Sequence, residues 1–189
     1  MIEQSLLFTR NFLDQFLRNR FDLSDSIVQI NNLTDPHGNV PEANQNKIII
    51  SLINIEQETN QPYYFKKQKL SNGQYADLTP SDRFNIYLLV SSQFDDYQET
   101  LKFLNASILF FQINQIIDSS SGTNLPEGIH KLDFDLEQLD YSQTHNLWSA
   151  MGAKYTPSVV YKMRLIEIFA NQMTGVTTSI SESQIDTKP

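Results

Sequence analysis

The feature that most constrains this chain of 189 residues is a β-branched run between Lys47 and Glu56. Its apolar residues fall on both alternating sets of positions: Ile48, Ile49, Ile50, Leu52, Ile53 and Ile55. A strand that is apolar on both faces is typical of the middle of a sheet covered on each side. The run therefore predicts a central strand with a packing layer above and below it.

Two helices are predicted to supply such layers. Apolar residues recur at three- and four-residue steps from Ile2 to Phe21, which is the pattern of an amphipathic first helix. A second helix is predicted from about Tyr97 to Ile117, with Asp95 and Asp96 as candidate caps. Its predicted apolar stripe consists of Tyr97, Leu101, Leu104, Ile108 and Phe111.

Four other segments have strand character: Ile27–Leu33, Arg83–Ser91, His130–Asp140 and Ser158–Phe169. The third alternates, which predicts one buried face and one face in contact with water or a partner. Its predicted inward residues are Leu132, Phe134 and Leu136, and its predicted outward residues are Asp133, Asp135 and Glu137.

Turns and a short helix connect these segments. Asp35–Asn39 carries proline and glycine and predicts a turn. Ser142 is a candidate cap for a short helix through Met151, which Gly152 would end in a left-handed conformation. The polar stretch from Gln57 to Ser81, with lysines at positions 66, 67 and 69, predicts a long loop or projecting hairpin. It is either a contact arm or a solvated loop.

The order of these elements predicts one α/β (α+β) domain, a mixed central sheet flanked by helices. A chain of this length is close to one ordinary domain, and it buries roughly 70% of its unfolded surface. We expect the domain to cover residues 1–169. Residues 170–189 are polar and predict a mobile tail.

Composition excludes several classes of function. The chain has no cysteine, so a disulfide framework and a thiolate metal site are excluded. A formal charge of −8 argues against a nucleic acid partner, because phosphate binding relies on lysine and arginine. No basic leader and no run of roughly 20 apolar residues is present, so we expect no signal peptide, no membrane span and a soluble protein.

Motifs that carry chemistry are also missing. The six glycines form no phosphate-binding loop, and the three histidines, His37, His130 and His145, have no metal-ligand spacing. Alternation on a solvated strand face explains the three carboxylates from Asp133 to Glu137 without a metal. We therefore predict no catalytic residue, no cofactor and no metal site. A small hydrolase is the enzymatic alternative, and no nucleophile, base or metal constellation supports it.

Two segments resemble a known family. Residues 125–132 read LPEGIHKL and residues 146–164 read NLWSAMGAKYTPSVVYKMR. They are similar to LPEGIEKL and NLWGALGAKYxPSxxYKxR in the cap, or tail-terminator, family of phage-tail-like contractile injection systems of the extracellular type, which includes virulence cassettes and anti-feeding prophages. Ser149 departs from the usual glycine, and serine is compatible with a helix there. The resemblance covers about residues 1–169.

The resemblance implies a structural protein and not an enzyme. It implies a homohexameric ring that sits on the last layer of inner tube, binds the last sheath layer and stops polymerisation. The implied partners are further copies of the chain, the tube protein and the sheath protein. The implied location is the cytoplasm during assembly and then a particle that is either released or anchored.

Residues of the longer motif are candidates for the contact between subunits. Trp and Tyr are favoured at interfaces because a large apolar body can be buried while a polar tip finds a partner. The candidate interface residues are Trp148, Lys154, Tyr155 and Arg164. The simpler interpretation, which we favour for the tryptophan, is that Trp148 pins the short helix onto the sheet. A second functional hypothesis is an adaptor that binds a peptide or effector through a sheet edge or through the 57–81 arm.

Overall fold

In a computed structural model of the protein, the described part of the chain contains three helices and nine strands. The described residues are 1–58, 67–69, 75–78, 82–118, 124–127, 129, 131–168 and 173–177. The helices are α1 (Ile2–Phe21), α2 (Tyr97–Ile113) and α3 (Tyr141–Ala150), with a single 3-10 turn at Glu42–Asn44. The strands are β1 (Val28–Ile30), β2 (Lys47–Gln57), β3 (Lys67–Lys69), β4 (Tyr75–Leu78), β5 (Asp82–Gln93), β6 (Ile116–Asp118), β7 (Lys131–Glu137), β8 (Ser158–Ile168) and β9 (Met173–Thr177).

Six of the strands form one mixed sheet in the order β1-β2-β5-β8-β7-β6. Strand β1 runs parallel to β2, and every other neighbouring pair is antiparallel. The other three strands form a small antiparallel sheet in the order β3-β4-β9. The predicted α+β fold with a mixed sheet and flanking helices is confirmed, and β2 lies inside the sheet as predicted.

Helices α1 and α2 cover one face of the large sheet, which we call the two-helix face. Their side chains and those of the sheet form one hydrophobic cluster that includes Leu13, Phe110, Ile48, Leu88 and Met163. Aromatic ring contacts join the layers of this cluster. The rings of Phe110 and Phe12 meet edge to face at 5.2 Å, and those of Phe111 and Tyr161 stack at 4.1 Å.

The bounds of α1 agree with the prediction, and its polar residues explain how it fits against the sheet. Ser5 and Thr9 are fully buried, and each hydroxyl donates to the carbonyl oxygen four residues earlier. Such bonds let a buried hydroxyl stay within a helix without an unpaired polar group. Asp22 then ends the helix with a left-handed φ of 51°.

The end of α2 and its buried face differ from the prediction. The helix stops at Ile113, because the side chain of Asn114 donates to the carbonyl oxygen of Phe110 and the chain then turns into β6. An apolar run cannot by itself distinguish the last turn of a helix from a short strand. The predicted stripe was correct for Phe111, which is 1% exposed, and wrong for Tyr97 and Leu101, which are 65% and 45% exposed. The buried residues are Thr100, Phe103, Ala106, Ser107, Phe110 and Phe111.

Two strand predictions hold for part of their length only. The first half of β2 is buried on both faces, since Ile48, Ile49 and Ile50 have no exposed surface. The second half is not covered, because a register shift follows Leu52 and both Leu52 and Ile55 are more than 40% exposed. In β7 the predicted burial is correct for Leu132 and Phe134. It is wrong for Leu136, which is 53% exposed and is not part of the cluster under α1 and α2.

The predicted turn at Asp35–Asn39 is confirmed. One carboxylate oxygen of Asp35 accepts from the backbone N–H groups of His37 and Asn39, both at 2.8 Å. Gly38 has a φ of 82°, which favours glycine.

Residues 57–81 and 170–189 are described in part. The antiparallel pair β3–β4 lies within the predicted arm, so a hairpin is present there. Strand β9 lies within the predicted tail, to which the sequence assigned no element, and it pairs with β4. The remainder of both predictions falls outside the described residues, and the proposed boundary near residue 169 stays a prediction.

Candidate assembly surface

The third helix covers the opposite face of the large sheet, which we call the one-helix face. Its start is fixed by a capping box: a side-chain oxygen of Asp140 accepts from the N–H of Gln143, and the Gln143 side chain accepts from the N–H of Asp140. The predicted cap, Ser142, is therefore wrong by two positions. A carboxylate three residues before a glutamine allows the two side chains to accept from the N–H groups of both residues. The helix ends as predicted at Gly152, whose φ is 62°.

Trp148 anchors α3 to the sheet. It is 6% exposed and packs in a second cluster of buried residues, whose other members are Leu33, Ile49, Leu89 and Val160. Its ring meets the ring of Tyr155 edge to face, with centroids 5.5 Å apart. In the isolated chain Trp148 is thus part of the core, as the simpler interpretation of this residue predicted.

Exposed aromatic residues surround this anchor. Tyr155 is 68% exposed, and Tyr141, the first residue of α3, is 98% exposed. Together with the helix they border a groove of about 490 Å³ whose lining residues are Leu139, Tyr141, Thr144, His145, Trp148 and Tyr155. An apolar groove with aromatic walls is a common form of protein contact site.

A larger groove lies on the other side of Tyr155. Its volume is about 680 Å³, and the loop 152–157 forms part of its lining. Lys154 and Tyr155 contribute to its wall together with Val40 and Tyr97, which are 53% and 65% exposed. Of the predicted interface residues, Tyr155 therefore lines both grooves and Lys154 lines the larger one.

The far part of the one-helix face is polar. Tyr87 donates from its hydroxyl to Glu56 at 2.6 Å, and the Lys162 ammonium lies 5.3 Å from the centre of the Tyr87 ring. Burial and the hydrogen bond to Glu56 raise the pKa of Tyr87. The hydrogen bond between Lys162 and Tyr87 raises the pKa of Lys162. Beside them, Arg164 forms an ion pair with Asp135 of β7. These polar groups are matched to each other and are half-buried or exposed.

The four predicted interface residues are thus divided between two parts of one surface. Trp148 and Tyr155 are in contact and Lys154 is adjacent, whereas Arg164 lies in the polar part on β8. Sequence reasoning missed Tyr141 and the pair Glu56–Tyr87. The position of Tyr141 directly after the cap was a usable signal, since the first residue of a helix often points to solvent.

The described residues contain no group of three or more histidine, aspartate or glutamate side chains placed to hold a metal ion. Among the helices of the same described ranges, none has the length and apolar character needed to cross a membrane.

Comparisons with known proteins agree with this architecture. The family model described as the Pvc16 N-terminal domain matches residues 9–182. The fold is similar to the sheath/tube terminator of an extracellular contractile injection system, PVC, in its extended state. The TM-score is 0.63 at 12% identity, over 95% of this chain and 61% of that one. It is also similar to the tube-terminating cap of the anti-feeding prophage, with a TM-score of 0.58 at 13% identity, over 92% of this chain and 58% of that one.

The chain therefore spans about three fifths of the length of each of these two structures. Both are terminators, that is, structural proteins. No curated protein sequence matches the chain.

Proposed function

Because this chain belongs to the Pvc16 N-terminal domain family, we propose that it is a tail terminator of a contractile injection system. It forms a hexameric ring on the last layer of inner tube, ends tube and sheath polymerisation, and anchors the last sheath layer. The observation that carries this proposal is the family match, which covers residues 9–182 of a 189-residue chain.

The one-helix face supports a role in assembly. A monomeric protein rarely leaves aromatic side chains as exposed as Tyr141 and Tyr155 beside an apolar groove without a partner. We propose that Lys154 and Tyr155 contact a partner directly and that Trp148 holds the loop that presents them. Arg164, with its carboxylate partner Asp135, contributes to the polar rim of the same contact.

Particle assembly in vitro tests the proposal. Purified tube protein polymerises in the presence or absence of this chain, and tube lengths are measured by negative-stain electron microscopy. With the chain present, we expect shorter tubes of narrower length distribution, with a ring at one end. When the assay is repeated with sheath protein, we expect the ring to stay attached to the last sheath layer. Tubes of unchanged length with no bound ring would overturn the proposal.

An adaptor is the second candidate function, and one observation favours it. Strand β3 lies at the edge of the small sheet within the 57–81 arm, and this supports the adaptor because an edge strand can accept an added peptide strand. An adaptor binds a soluble partner saturably as a monomer or dimer and leaves tube length unchanged. Light scattering on the purified chain, compared with the tube-length assay, separates the two functions.

A further inference from the structure

Helix α3 differs from the two longer helices in its lack of charge. Its ten residues, YSQTHNLWSA, include no aspartate, glutamate, lysine or arginine, whereas α1 and α2 both carry charged side chains. Only one of the ten residues, Trp148, is buried. Depletion of charge together with aromatic residues is typical of the core of a protein–protein interface. The exposed side of α3 therefore has the composition of a contact surface.

The aromatic groove beside α3 continues into a second depression of about 340 Å³, which lies between the helix, the end of β7 and the start of β8. Four residues line both depressions: Leu139, Thr144, Trp148 and Tyr155. Tyr141 lines the aromatic depression, and Glu137, the last residue of β7, lines the other. The two depressions are thus parts of one groove, which has exposed tyrosine rings along it and a carboxylate at one end.

The carboxylates at this groove have no cation of their own. Within the described part of the chain, neither Glu137 nor Asp140 forms an ion pair. Strand pairing places Glu137 opposite Val160, which is apolar. Lys162, two residues further along β8, has its ammonium 5.3 Å from the centre of the Tyr87 ring.

The other cations on this face also lie outside the groove. Arg164 pairs with Asp135, and Lys154 lines the larger groove on the other side of Tyr155. Among the described residues, no lysine or arginine lines either part of the groove beside α3. His145 does line it, so a binding experiment has to be made at a pH at which histidine is neutral.

Aromatic rings beside a carboxylate without a cation favour a positively charged side chain. A cation is attracted to the face of an aromatic ring, and more strongly where water is displaced. Arginine suits such a site better than lysine, because its planar guanidinium stacks on rings, is more weakly hydrated and donates to a carboxylate in a fixed geometry. The apolar stem of an arginine can also cover apolar lining such as Leu139.

We propose that this groove binds an arginine side chain of a partner protein, with the guanidinium beside Tyr141 and Tyr155 and directed toward the carboxylate of Glu137. The inference deepens the proposed assembly role and rests on it for one point only, that the partner is another subunit of the particle. The binding chemistry depends on the groove alone.

Peptide binding to the full chain tests the site. The probe is the peptide acetyl-Gly-Arg-Gly-amide, and its matched control carries citrulline, which has nearly the same shape and no charge. Trp148 is the only tryptophan of the chain, so its fluorescence reports on the groove, and calorimetry gives a second measurement. At about pH 8, where histidine is neutral, we expect saturable binding of the arginine peptide. The citrulline peptide is expected to bind about tenfold more weakly.

Variants assign the binding to named side chains. Tyr141→Leu removes a ring that is 98% exposed, and we expect the arginine peptide to bind about fivefold more weakly. Tyr141→Phe keeps the ring and is expected to bind like the unmodified chain. Glu137→Gln is expected to weaken binding of the arginine peptide about threefold and to leave the citrulline peptide unaffected.

Tyr97→Leu is the matched control, because it removes a tyrosine that is 65% exposed and lines the larger groove. It is expected to leave binding unchanged, and circular dichroism checks that every variant folds. The site is wrong if the arginine peptide does not bind, if the citrulline peptide binds as tightly, or if Tyr141→Leu keeps the full affinity.

The tube-length assay separates this inference from the proposed function. A chain that binds the peptide and leaves tube length unchanged keeps the site and loses the terminator role. A chain that shortens tubes without binding the peptide keeps the terminator role and loses the site. Tyr141→Leu is expected to shorten tubes less than Tyr141→Phe, and equal shortening would overturn the assignment of the partner to the particle.

Discussion

The two faces of the large sheet differ in how many hydrophobic residues are buried against them. On the two-helix face, two long helices and the sheet bury a cluster of 20 hydrophobic residues, with aromatic rings interlocked between the layers. On the one-helix face, a helix of ten residues covers a cluster of five, and the rest of the face is polar. One face thus supplies most of the burial that stabilises the fold, which leaves the other available for contacts.

The largest expected effect comes from Phe110 on the two-helix face. Phe110 is fully buried and its ring contacts those of Phe12, Phe16 and Phe111. Phe110→Ala removes a ring and leaves a cavity between both helices, so we expect the free energy of unfolding to fall by about 4 kcal/mol. Urea unfolding followed by circular dichroism measures this change.

Leu101→Ala is the matched control on the same helix. Leu101 is 45% exposed, although the sequence pattern placed it in the buried stripe, and its loss is expected to cost about 0.5 kcal/mol. Equal losses for the two variants would mean that the cluster does not carry the stability assigned to it here.

Trp148→Ala tests the smaller cluster. We expect a loss of about 3 kcal/mol, less than for Phe110, because groove and loop residues around Trp148 can relax toward the cavity. Tyr141→Ala, which removes a side chain that is 98% exposed, is expected to leave unfolding unchanged. A Trp148→Ala chain that is fully stable but fails to associate would reverse the comparison, since the tryptophan would then belong to an interface and not to the core.

How much the sequence predicts also differs between the two faces. The period of α1 and the run at Ile48–Ile50 predicted the helix, the central strand and the α+β class correctly, because long patterns average over local exceptions. The stripe of α2 was displaced, because the burial of Phe103 and Phe110 is decided by rings on α1 and on the β5–α2 connection. Such contacts are tertiary and leave no periodic signal in one helix.

The candidate surface was predictable only as a set of residue types. The motif around Trp148 directed attention to one segment, and the structure shows that two of its residues, Trp148 and Tyr155, are in contact. The link from Tyr87 to Glu56 depends on strand pairing between residues 31 positions apart. No local pattern encodes that pairing.

A pH titration compares the two faces through their tyrosines. Tyr161, on the two-helix face, is 3% exposed, and burial raises its pKa from 10.0 to about 12. Below pH 10 the hydroxyl is protonated in both states and has no effect. As the pH rises from 10 to 12, the unfolded chain loses this proton and the folded chain keeps it, so stability falls, by about 2 kcal/mol.

Tyr161→Phe is expected to remove most of that fall, as measured by urea unfolding at a series of pH values. Tyr141→Phe serves as the control, because an exposed tyrosine should leave the profile unchanged. A profile that keeps its full slope in Tyr161→Phe would assign the pH dependence to other groups, with Tyr87 on the one-helix face first among them, since its pKa is also raised.

The smallest effect concerns the start of α3 and separates two caps. Asp140→Ala removes the acceptor for the N–H of Gln143, and we expect a loss of about 1 kcal/mol in the free energy of unfolding. Ser142→Ala, at the position that the sequence favoured, is expected to change stability by less than about 0.5 kcal/mol, because Ser142 is exposed and is not the cap. A larger loss in Ser142→Ala than in Asp140→Ala would contradict the capping box. Helix α3 holds Trp148, and Trp148 contacts Tyr155. Asp140→Ala is therefore also expected to weaken association more than its loss of stability alone explains. A loss confined to stability would mean that the aromatic surface does not depend on the position of the helix.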